Sequence, residues 1–220
     1  RSKIALFCNV SRDCVLEEKD VDFAIYEIPL VLHRQGLCEV IPQRLGLPAR
    51  TPRIEQWEEM LTTMKETRES TTIAVVGKYI ELQDAYKSIF ESLTHGGIAN
   101  RCRVNIRRVN AEDVEKSGMA PHMEGVGGIL VPGGFGTRGI EGKIDASRYA
   151  RENRIPFFGI CLGMQCAMIE FARNVCGMAK AHSREFDEAT PAPVIDLMEE
   201  QKAVVQKGGT MRLGAYPCRL

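Results

Sequence analysis

Several features that would assign a function class at once are missing from this sequence. No pair of its eight cysteines has the C-x2-C spacing of a zinc site, and its four histidines are scattered. No uninterrupted apolar run approaches the roughly 20 residues that span a bilayer, and we expect no signal peptide at the start of the chain. The 29 basic and 29 acidic residues cancel, which leaves no overall field to attract nucleic acid. We expect a cytoplasmic protein with no metal site, no nucleic-acid partner and no membrane partner.

The eight cysteines are not arranged as a disulfide framework. Most of them lie in or beside apolar segments, and 220 residues are enough to bury a core without covalent cross-links. We therefore predict a reduced protein in which most cysteines are small buried hydrophobic residues.

The pattern of apolar residues changes at Thr71. Before it, the run Lys3–Cys8 predicts a buried strand, and the proline-rich stretch 41–53 predicts a connector that continues into a helix at Ile54–Arg68. After it, strands and helices alternate, which is typical of an open, mostly parallel α/β sheet with flanking helices. The predicted strands are Thr72–Gly77, Arg103–Val109, Gly127–Val131 and Ile155–Ile160, and the predicted helices are Ala85–His95, Ile144–Asn153 and Leu162–Asn174.

One cysteine has the setting of a catalytic nucleophile. Cys161 lies in Gly159-Ile160-Cys161-Leu162-Gly163, between a predicted strand and a predicted helix. A nucleophile elbow needs small residues around its sharp turn, and the helix N-terminus behind it stabilises a thiolate. The thiolate attacks, and nearby backbone N–H groups can hold the developing oxyanion. A buried cysteine in an ordinary strand–helix turn is the alternative, which the flanking strand and helix disfavour.

A glycine-rich loop stands at the end of another predicted strand. It reads Val131-Pro132-Gly133-Gly134-Phe135-Gly136. Ligands of open α/β sheets bind outside the carboxyl ends of the strands, so we expect this loop and Cys161 to open onto one crevice. The glycines let the backbone approach a ligand closely, although a Pro-Gly-Gly turn alone is also a common end to a strand.

Taken together, these motifs resemble a known family. PGGFG followed by GICLGMQ resembles the glutaminase domain of class I, triad-type glutamine amidotransferases, and further stretches along the whole chain resemble the CTP synthase family. The resemblance implies three parts. Residues 1–46 are the C-terminal part of a P-loop-type α/β synthetase (amidoligase) domain, and residues 47–70 are a connector with a helix. Residues 71–220 are a C-terminally incomplete glutamine amidotransferase domain with a flavodoxin-like sheet. The stretches that carry the CTP synthase resemblance are Lys3–Cys8, Lys19-Asp20-Val21, Tyr26–Leu30, Val76–Ile80, Asp84–Ser88, Arg138–Lys143, Ser183–Phe186 and Gly208–Gly214.

The resemblance implies an ammonia-transferring ligase. Glutamine is hydrolysed at one site, and its ammonia passes to a second site, where UTP that ATP has phosphorylated is converted to CTP. It also implies ATP and Mg²⁺ for the full enzyme, no covalent cofactor, GTP as activator, CTP as inhibitor and a homotetramer.

The resemblance also implies roles for single residues. Cys161 is the nucleophile that forms a γ-glutamyl thioester, and Glu185 suits the α-ammonium group of glutamine. Solvated surface charge is the alternative for Lys3, Arg138 and Glu185. The implied glutamine-binding residues are Gly134, Phe135, Leu162, Gly163, Met164, Gln165 and Glu185. Lys3 is implied for UTP or CTP, and Lys19, Asp20 and Val21 for ATP. Arg138, Gly139 and Glu141 are implied for GTP activation and ammonia passage, with Gly208–Gly214 as a lid.

The chain departs from the family pattern in two ways. It has His-Ser-Arg-Glu-Phe at 182–186 where the family has Asn-Ser-Thr-Glu-Phe, so we expect the bulky cation Arg184 to affect glutamine affinity. A triad needs a base and an acid that orients it, which in this family form a His-x-Glu pair near the C-terminus, but no such pair follows Cys161. The phosphate-loop pattern G-x4-G-K-[ST] is also absent. We expect a piece of a longer protein that does not turn over glutamine alone.

Two other interpretations stay open. The chain could be part of another triad amidotransferase, such as one serving GMP or carbamoyl-phosphate synthesis, although RGIEGK and KIALFC argue against it. It could also be a non-catalytic glutamine-binding or assembly module. A His-x-Glu pair downstream and a phosphate loop upstream would support the enzyme.

Overall fold

The structure is a computed structural model that describes residues 1–198 and 201, with the side chain of Gln83 left out. The chain forms two compact units. The first contains Arg1–Ser70 and Thr94–Arg103, and the second contains Thr71–Leu93 and the residues from Val104 onward.

The first unit is helical where it is regular. Its helices are α1 (Ser2–Phe7), α2 (Ile28–Arg34), α3 (Leu37–Leu45) and α4 (Glu55–Glu66). The helix predicted at Ile54–Arg68 is confirmed by α4, which buries Leu61. Lys65 on α4 donates to Glu27 Oε1 at 3.2 Å, and this bond ties α4 to the turn that precedes α2.

The prediction of a buried strand at Lys3–Cys8 is wrong. Most of the segment lies in α1, where Ala5 is buried while Leu6 and Phe7 are 80% and 87% exposed. A short apolar run does not distinguish a strand from a helix by its pattern alone. No strand pairs with this segment in the described part of the chain, and a helix satisfies its backbone groups without a neighbour.

The second unit is built on a four-stranded sheet in the order β2-β1-β3-β4. β1 pairs in parallel with β3, with Ile73 opposite Gly128, and β3 pairs in parallel with β4, with Ile129 opposite Phe157. A separate parallel pair is formed by β5 (Ala181–Ser183) and β6 (Ala192–Ile195). The four strands are β1 (Ser70–Gly77), β2 (Arg103–Asn110), β3 (Gly128–Val131) and β4 (Phe157–Gly159). The helices between and after them are α5 (Lys87–Ala99), α6 (Ala111–Ser117), α7 (Ile140–Asn153) and α8 (Leu162–Asn174).

These elements confirm the predicted mostly parallel α/β sheet, and α8 has the predicted bounds. Other bounds differ: α7 begins at Ile140, before the predicted Ile144, and α6 was not predicted. α5 runs past its predicted end at His95, through Gly96 and Gly97 to Ala99. A glycine costs a helix only about 1 kcal/mol, and Gly97 is buried inside this one.

The sheet is covered on both faces. Along β1, Ala74 and Val76 join one apolar cluster with residues of α6 and α7, while Val75 joins another with Tyr86 and Leu130. Successive residues of a strand point to opposite faces, so the uninterrupted apolar run of β1 contributes side chains to both clusters. The central strands β1 and β3 are thereby fixed, and the loops at their carboxyl ends start from a rigid base.

The prediction that most cysteines are buried is wrong. Of the seven cysteines that the structure describes, all free thiols, only Cys166 is fully buried, and Cys8, Cys161 and Cys176 are exposed. Cys8 and Cys176 follow the ends of α1 and α8, where the chain turns at the surface. Among the described residues, no helix has the length and apolar character to cross a membrane.

Candidate active site

Cys161 occupies a strained turn between β4 and α8. Its φ of 51° and ψ of −106° lie outside the regions that non-glycine residues ordinarily adopt, and it is the N-cap residue of α8. Backbone bonds hold the turn on both sides: Ile160 N–H donates to Val131 O, and Gly163 N–H donates to Ile160 O, both at 2.9 Å. The thiol-bearing residue is exposed at the carboxyl edge of the sheet. This is the geometry of the predicted nucleophile elbow.

The glycines around Cys161 are required by close backbone contact. A Cβ on Gly159 would lie 2.5 Å from the carbonyl carbon of Gly163. A Cβ on Gly163 would lie 2.1 Å from the carbonyl oxygen of Val131. The first turn of α8 therefore packs backbone to backbone against the ends of β3 and β4, which explains both glycines of the G-x-C-x-G pattern.

The glycine-rich loop lies beside the elbow, as the sheet rule predicts. A Cβ on Gly133 would lie 3.5 Å from Cys161 Cβ, and one on Gly134 would lie 3.6 Å from Leu162 Cδ2. Phe135 is 79% exposed, so its ring is free of the core. On the helix side, Leu162 and Gly163 are buried, Gln165 is partly buried, and Met164 is 52% exposed.

Glu185 joins this group from a distant part of the sequence. Gly136 N–H donates to Glu185 Oε1 at 3.3 Å, across 49 residues of chain. The turn that carries Glu185 is pinned by the buried Ser183, whose Oγ accepts from Glu185 N–H at 3.2 Å. The structure thus brings the glycine-rich loop together with both Cys161 and Glu185.

The guanidinium group of Arg184 is paired with other groups of the domain. Its Nε donates to Asp196 Oδ2 at 2.8 Å, and its Nη1 donates to the carbonyl oxygen of Glu188 at 3.1 Å. The charge is therefore neutralised beyond the end of β6, and these contacts give no support to the expected effect of Arg184 on glutamine affinity.

The residues expected in the GTP and ammonia loop have partners within the domain. Arg138 lies 3.7 Å from Glu112 Oε1 and donates to the carbonyl oxygen of Lys78 at 3.3 Å. Gly139 has φ +74°, and a Cβ on it would lie 2.8 Å from Ala111 Cβ. Glu141 accepts from Arg173 Nη1 at 2.8 Å. These contacts fix the loop at the start of α7 and the helix itself.

The described histidines of this unit are engaged away from Cys161. His182 Nδ1 accepts from Ser183 N–H at 3.0 Å, and Nε2 lies 3.7 Å from Glu141 Oε1. Burial, and then the nearby Arg173, lower the pKa of His182, so the ring is neutral at pH 7. The chain does contain one His-x-Glu pair, His122-Met123-Glu124, but it precedes β3 and so lies at the edge of the sheet opposite Cys161.

The residues expected to bind nucleotides lie in the first unit. Lys3 is exposed on α1, and Lys19 lies 3.3 Å from Glu17. Asp20 is exposed and Val21 is partly buried. Among the described residues, no hydrogen bond or ion pair brings Lys3 together with the Lys19–Val21 segment.

No role was assigned from the sequence to two lysines beside the site, although both lie in stretches that carry the family resemblance. Lys143 is fully buried on α7, and its Nζ would lie 3.9 Å from a Cβ on Gly134. Burial is the main cause that lowers the pKa of Lys143, with the nearby thiol of Cys166 opposing it. Lys143 lies on the same face of α7 as the buried Ile140 and Ile144, and this spacing in the sequence predicts that Lys143 is buried. Lys78 follows β1 and donates to the carbonyl oxygen of Phe135.

Comparisons with known proteins agree with this geometry. Residues 81–220 match the family "Glutamine amidotransferase class-I", and residues 1–47 match "CTP synthase N-terminus". The CTP synthase of Syntrophus aciditrophicus is 56% identical over 220 residues, and that of Ruminiclostridium cellulolyticum is 55% identical over the same length. Both alignments cover 100% of this chain and 41% of the relative.

A solved structure matches as well. It is the glutaminase domain of a Trypanosoma brucei CTPS with bound acivicin, at 41% identity and a TM-score of 0.55. The match covers 59% of this chain and 50% of the other. The chain thus spans about two fifths of the length of its curated relatives, and its amidotransferase fold has a direct structural counterpart.

Proposed function

Since the chain belongs to the class I glutamine amidotransferase family, we propose that it supplies the glutaminase centre of a CTP synthase. The observation that carries the proposal is the strained, exposed Cys161 at the N-terminus of α8, beside the glycine-rich loop. The full protein would aminate UTP to CTP at the expense of ATP, with ammonia from glutamine. The relatives that match both the first 47 residues and the amidotransferase region are CTP synthases, which favours this reaction over GMP or carbamoyl-phosphate synthesis.

In the proposed mechanism, Cys161 Sγ attacks the side-chain amide carbon of glutamine. The tetrahedral oxyanion is held by backbone N–H groups of the glycine-rich loop and of the first turn of α8, assigned to Gly134 and Leu162. Collapse releases ammonia and leaves a γ-glutamyl thioester, which water then hydrolyses to glutamate. The base that takes the thiol proton and returns it to the leaving nitrogen is assigned to neither His182 nor His122, because their contacts lie elsewhere.

The substrate itself would be oriented by side chains around the elbow. The carboxylate of Glu185 would bind the α-ammonium group. Other residues proposed to contact glutamine are Phe135, Gly163, Met164 and Gln165, which lie in the same loop and the same helical turn. Arg138, Gly139 and Glu141 are proposed for GTP activation and ammonia passage. The proposed lid Gly208–Gly214 lies outside the described residues.

The remaining ligands belong to the synthetase function of the full protein. Lys3 is proposed for UTP or for the inhibitor CTP, and Lys19, Asp20 and Val21 for ATP. The full protein would bind Mg²⁺ together with ATP, would be activated by GTP, and would need no covalent cofactor. It would be a cytoplasmic homotetramer. No group of three potential metal ligands occurs among the described residues, so no Mg²⁺ ligand is assigned in this chain.

Selective alkylation tests the proposal. Acivicin, a glutamine-like electrophile, should label Cys161 alone, as shown by peptide mapping. Burial raises the pKa of the Cys166 thiol to about 12, so Cys166 should stay unlabelled at pH 8.5. Iodoacetamide, which carries no amino-acid group, is the control reagent and should also label the exposed Cys8 and Cys176.

Two outcomes would contradict the assignment in different ways. Labelling of Cys166 or Cys176 by acivicin ahead of Cys161 would show that Cys161 is not the nucleophile. Saturable binding of glutamine without any covalent labelling would instead support a non-catalytic glutamine-binding module.

A further inference from the structure

The peptide group that joins Phe135 to Gly136 has a charged partner on each side. Its carbonyl oxygen accepts a hydrogen bond from the ammonium group of Lys78, and its N–H donates to Glu185 Oε1 at 3.3 Å. A cation at the oxygen and a carboxylate at the N–H are the partners that a peptide dipole favours, and both bonds are charge-assisted. One peptide therefore connects Lys78 to Glu185.

Lys78 is itself well anchored. It directly follows β1, whose last four residues, Ala74 to Gly77, are buried in the sheet. Its carbonyl oxygen accepts from Arg138 Nη2 at 3.3 Å, and its Nζ lies 5.1 Å from the centroid of the Tyr79 ring. The ammonium group thus extends from a rigid strand end to the glycine-rich loop.

The conformation of that loop depends on the orientation of this peptide. Gly136 has φ +77°, a left-handed conformation in which glycine is nearly unrestrained. Without a fixed partner, the Phe135–Gly136 peptide could rotate and turn its N–H away from Glu185. Because Glu185 and Phe135 are both exposed, packing does not hold either side chain in place.

We infer that Lys78 is a positioning residue for recognition of the substrate's α-amino group. This inference rests on the proposed function, in which Glu185 binds that group. Lys78 fixes the peptide, the peptide N–H holds one oxygen of Glu185, and the second oxygen stays available for an ammonium ion. Among the described residues, no hydrogen bond or ion pair engages that second oxygen.

Alkylation kinetics at pH 8.5, where a thiol of ordinary pKa is about half ionised, separate recognition from reactivity. In the Lys78→Met variant, the concentration of acivicin that half-saturates labelling of Cys161 should rise about tenfold, the effect of losing one charge-assisted hydrogen bond. The rate of labelling by iodoacetamide should stay the same, because that reagent has no amino group. Lys116→Met, at a lysine that is 77% exposed on α6, is the matched control and should change neither reagent's labelling.

The coupling through the peptide is tested by a double variant. Glu185→Gln should weaken acivicin recognition, and adding Lys78→Met should weaken it little further, because both residues act through one contact. Fully additive effects, or labelling of Lys78→Met by acivicin at the parent rate, would overturn the inference. So would an equal slowing with iodoacetamide, which would mean that Lys78 shapes the elbow and not the substrate site.

Folding and the proposed function are checked separately. Far-UV circular dichroism follows each variant, and Lys78→Arg, which keeps a donor, should bind acivicin nearly as well as the parent. Loss of folded signal in both Lys78 variants would make Lys78 a folding residue and refute the inference. Failure of acivicin to label Cys161 in the parent would refute the proposed function itself.

Discussion

The ion pair between α7 and α8 offers the clearest stability prediction. Glu170 on α8 is only 2% exposed, and its carboxylate accepts from Arg151 Nε at 3.1 Å and from Nη2 at 2.7 Å. Asn174 Nδ2 adds a third donor at 3.1 Å. The Arg151→Met variant would leave this carboxylate buried with Asn174 as its remaining donor.

The cost follows from the burial of the carboxylate. Removing one partner of a buried ion pair costs about 3–5 kcal/mol, because the remaining charge is desolvated and uncompensated. The Arg151 side chain is 36% exposed, so water can reach the vacated position, and we expect the lower end of this range, about 3 kcal/mol. At about 2–4 °C for each kcal/mol in a domain of this size, the melting temperature should fall by about 6–12 °C.

Urea unfolding followed by circular dichroism measures this difference, with Arg148→Met as the matched control. Arg148 also lies on α7 and pairs with Asp145, but it is 51% exposed, so its loss should cost less than about 1 kcal/mol. Replacing both partners, as Arg151→Met with Glu170→Leu, should recover much of the loss, because no unpaired charge remains. If Arg151→Met costs no more than Arg148→Met, the buried pair does not stabilise the packing of α7 on α8.

Three further predictions concern the site. Gly134→Val should abolish labelling by acivicin while circular dichroism stays unchanged, because a Cβ there would make only an ordinary contact, at 3.6 Å to Leu162 Cδ2, yet would stand on the residue whose backbone N–H is proposed to hold the oxyanion; loss of both signals would make the glycine structural. Lys143→Met should raise the free energy of unfolding at pH 7 by about 1 kcal/mol, because it replaces a buried ammonium with an apolar side chain of similar size; urea unfolding would detect a decrease if the charge stabilises the fold. Because the pKa of His182 is lower in the folded than in the unfolded state, the unfolded state binds the extra proton, and stability should fall as the pH drops below about 6.5; this part of the fall should vanish in His182→Gln when urea midpoints at pH 7.5 and 5.5 are compared.

Much of the sheet was predictable because its central strands are continuous apolar runs in the sequence. Ala74 to Val76 and Ile129 to Val131 are buried on both faces, so their identity is set by local sequence and does not depend on which strand pairs with which. The elbow was predictable for a related reason. Gly159 and Gly163 are glycines because a Cβ at either position would clash with nearby backbone, and this pattern around Cys161 identifies the turn in the sequence.

The errors arose where the outcome depends on contacts that are distant in sequence. Whether Lys3–Cys8 forms a strand depends on a partner strand, and the apolar pattern contains no information about one. Partners are equally hidden in the sequence: Arg184, whose expected effect on glutamine affinity stays a prediction, donates to Asp196, and Lys78 donates to the carbonyl oxygen of Phe135, 57 residues away. A side chain's charge type is visible in the sequence, but its partner is determined only by the fold.

The site divides into a part fixed by backbone packing and a part held by exposed polar bonds. The proposed nucleophile, Cys161, belongs to the first part, since Val131 O both accepts from Ile160 N–H and limits how closely Gly163 can approach. Moving Cys161 would require moving two strands of the buried sheet. The residue proposed to recognise the amino group belongs to the second part, because Glu185 is exposed and its carboxylate accepts, within the described part of the chain, from one loop peptide. Chemistry that tolerates little displacement thus rests on the sheet, while substrate recognition rests on loops that can adjust when the ligand arrives.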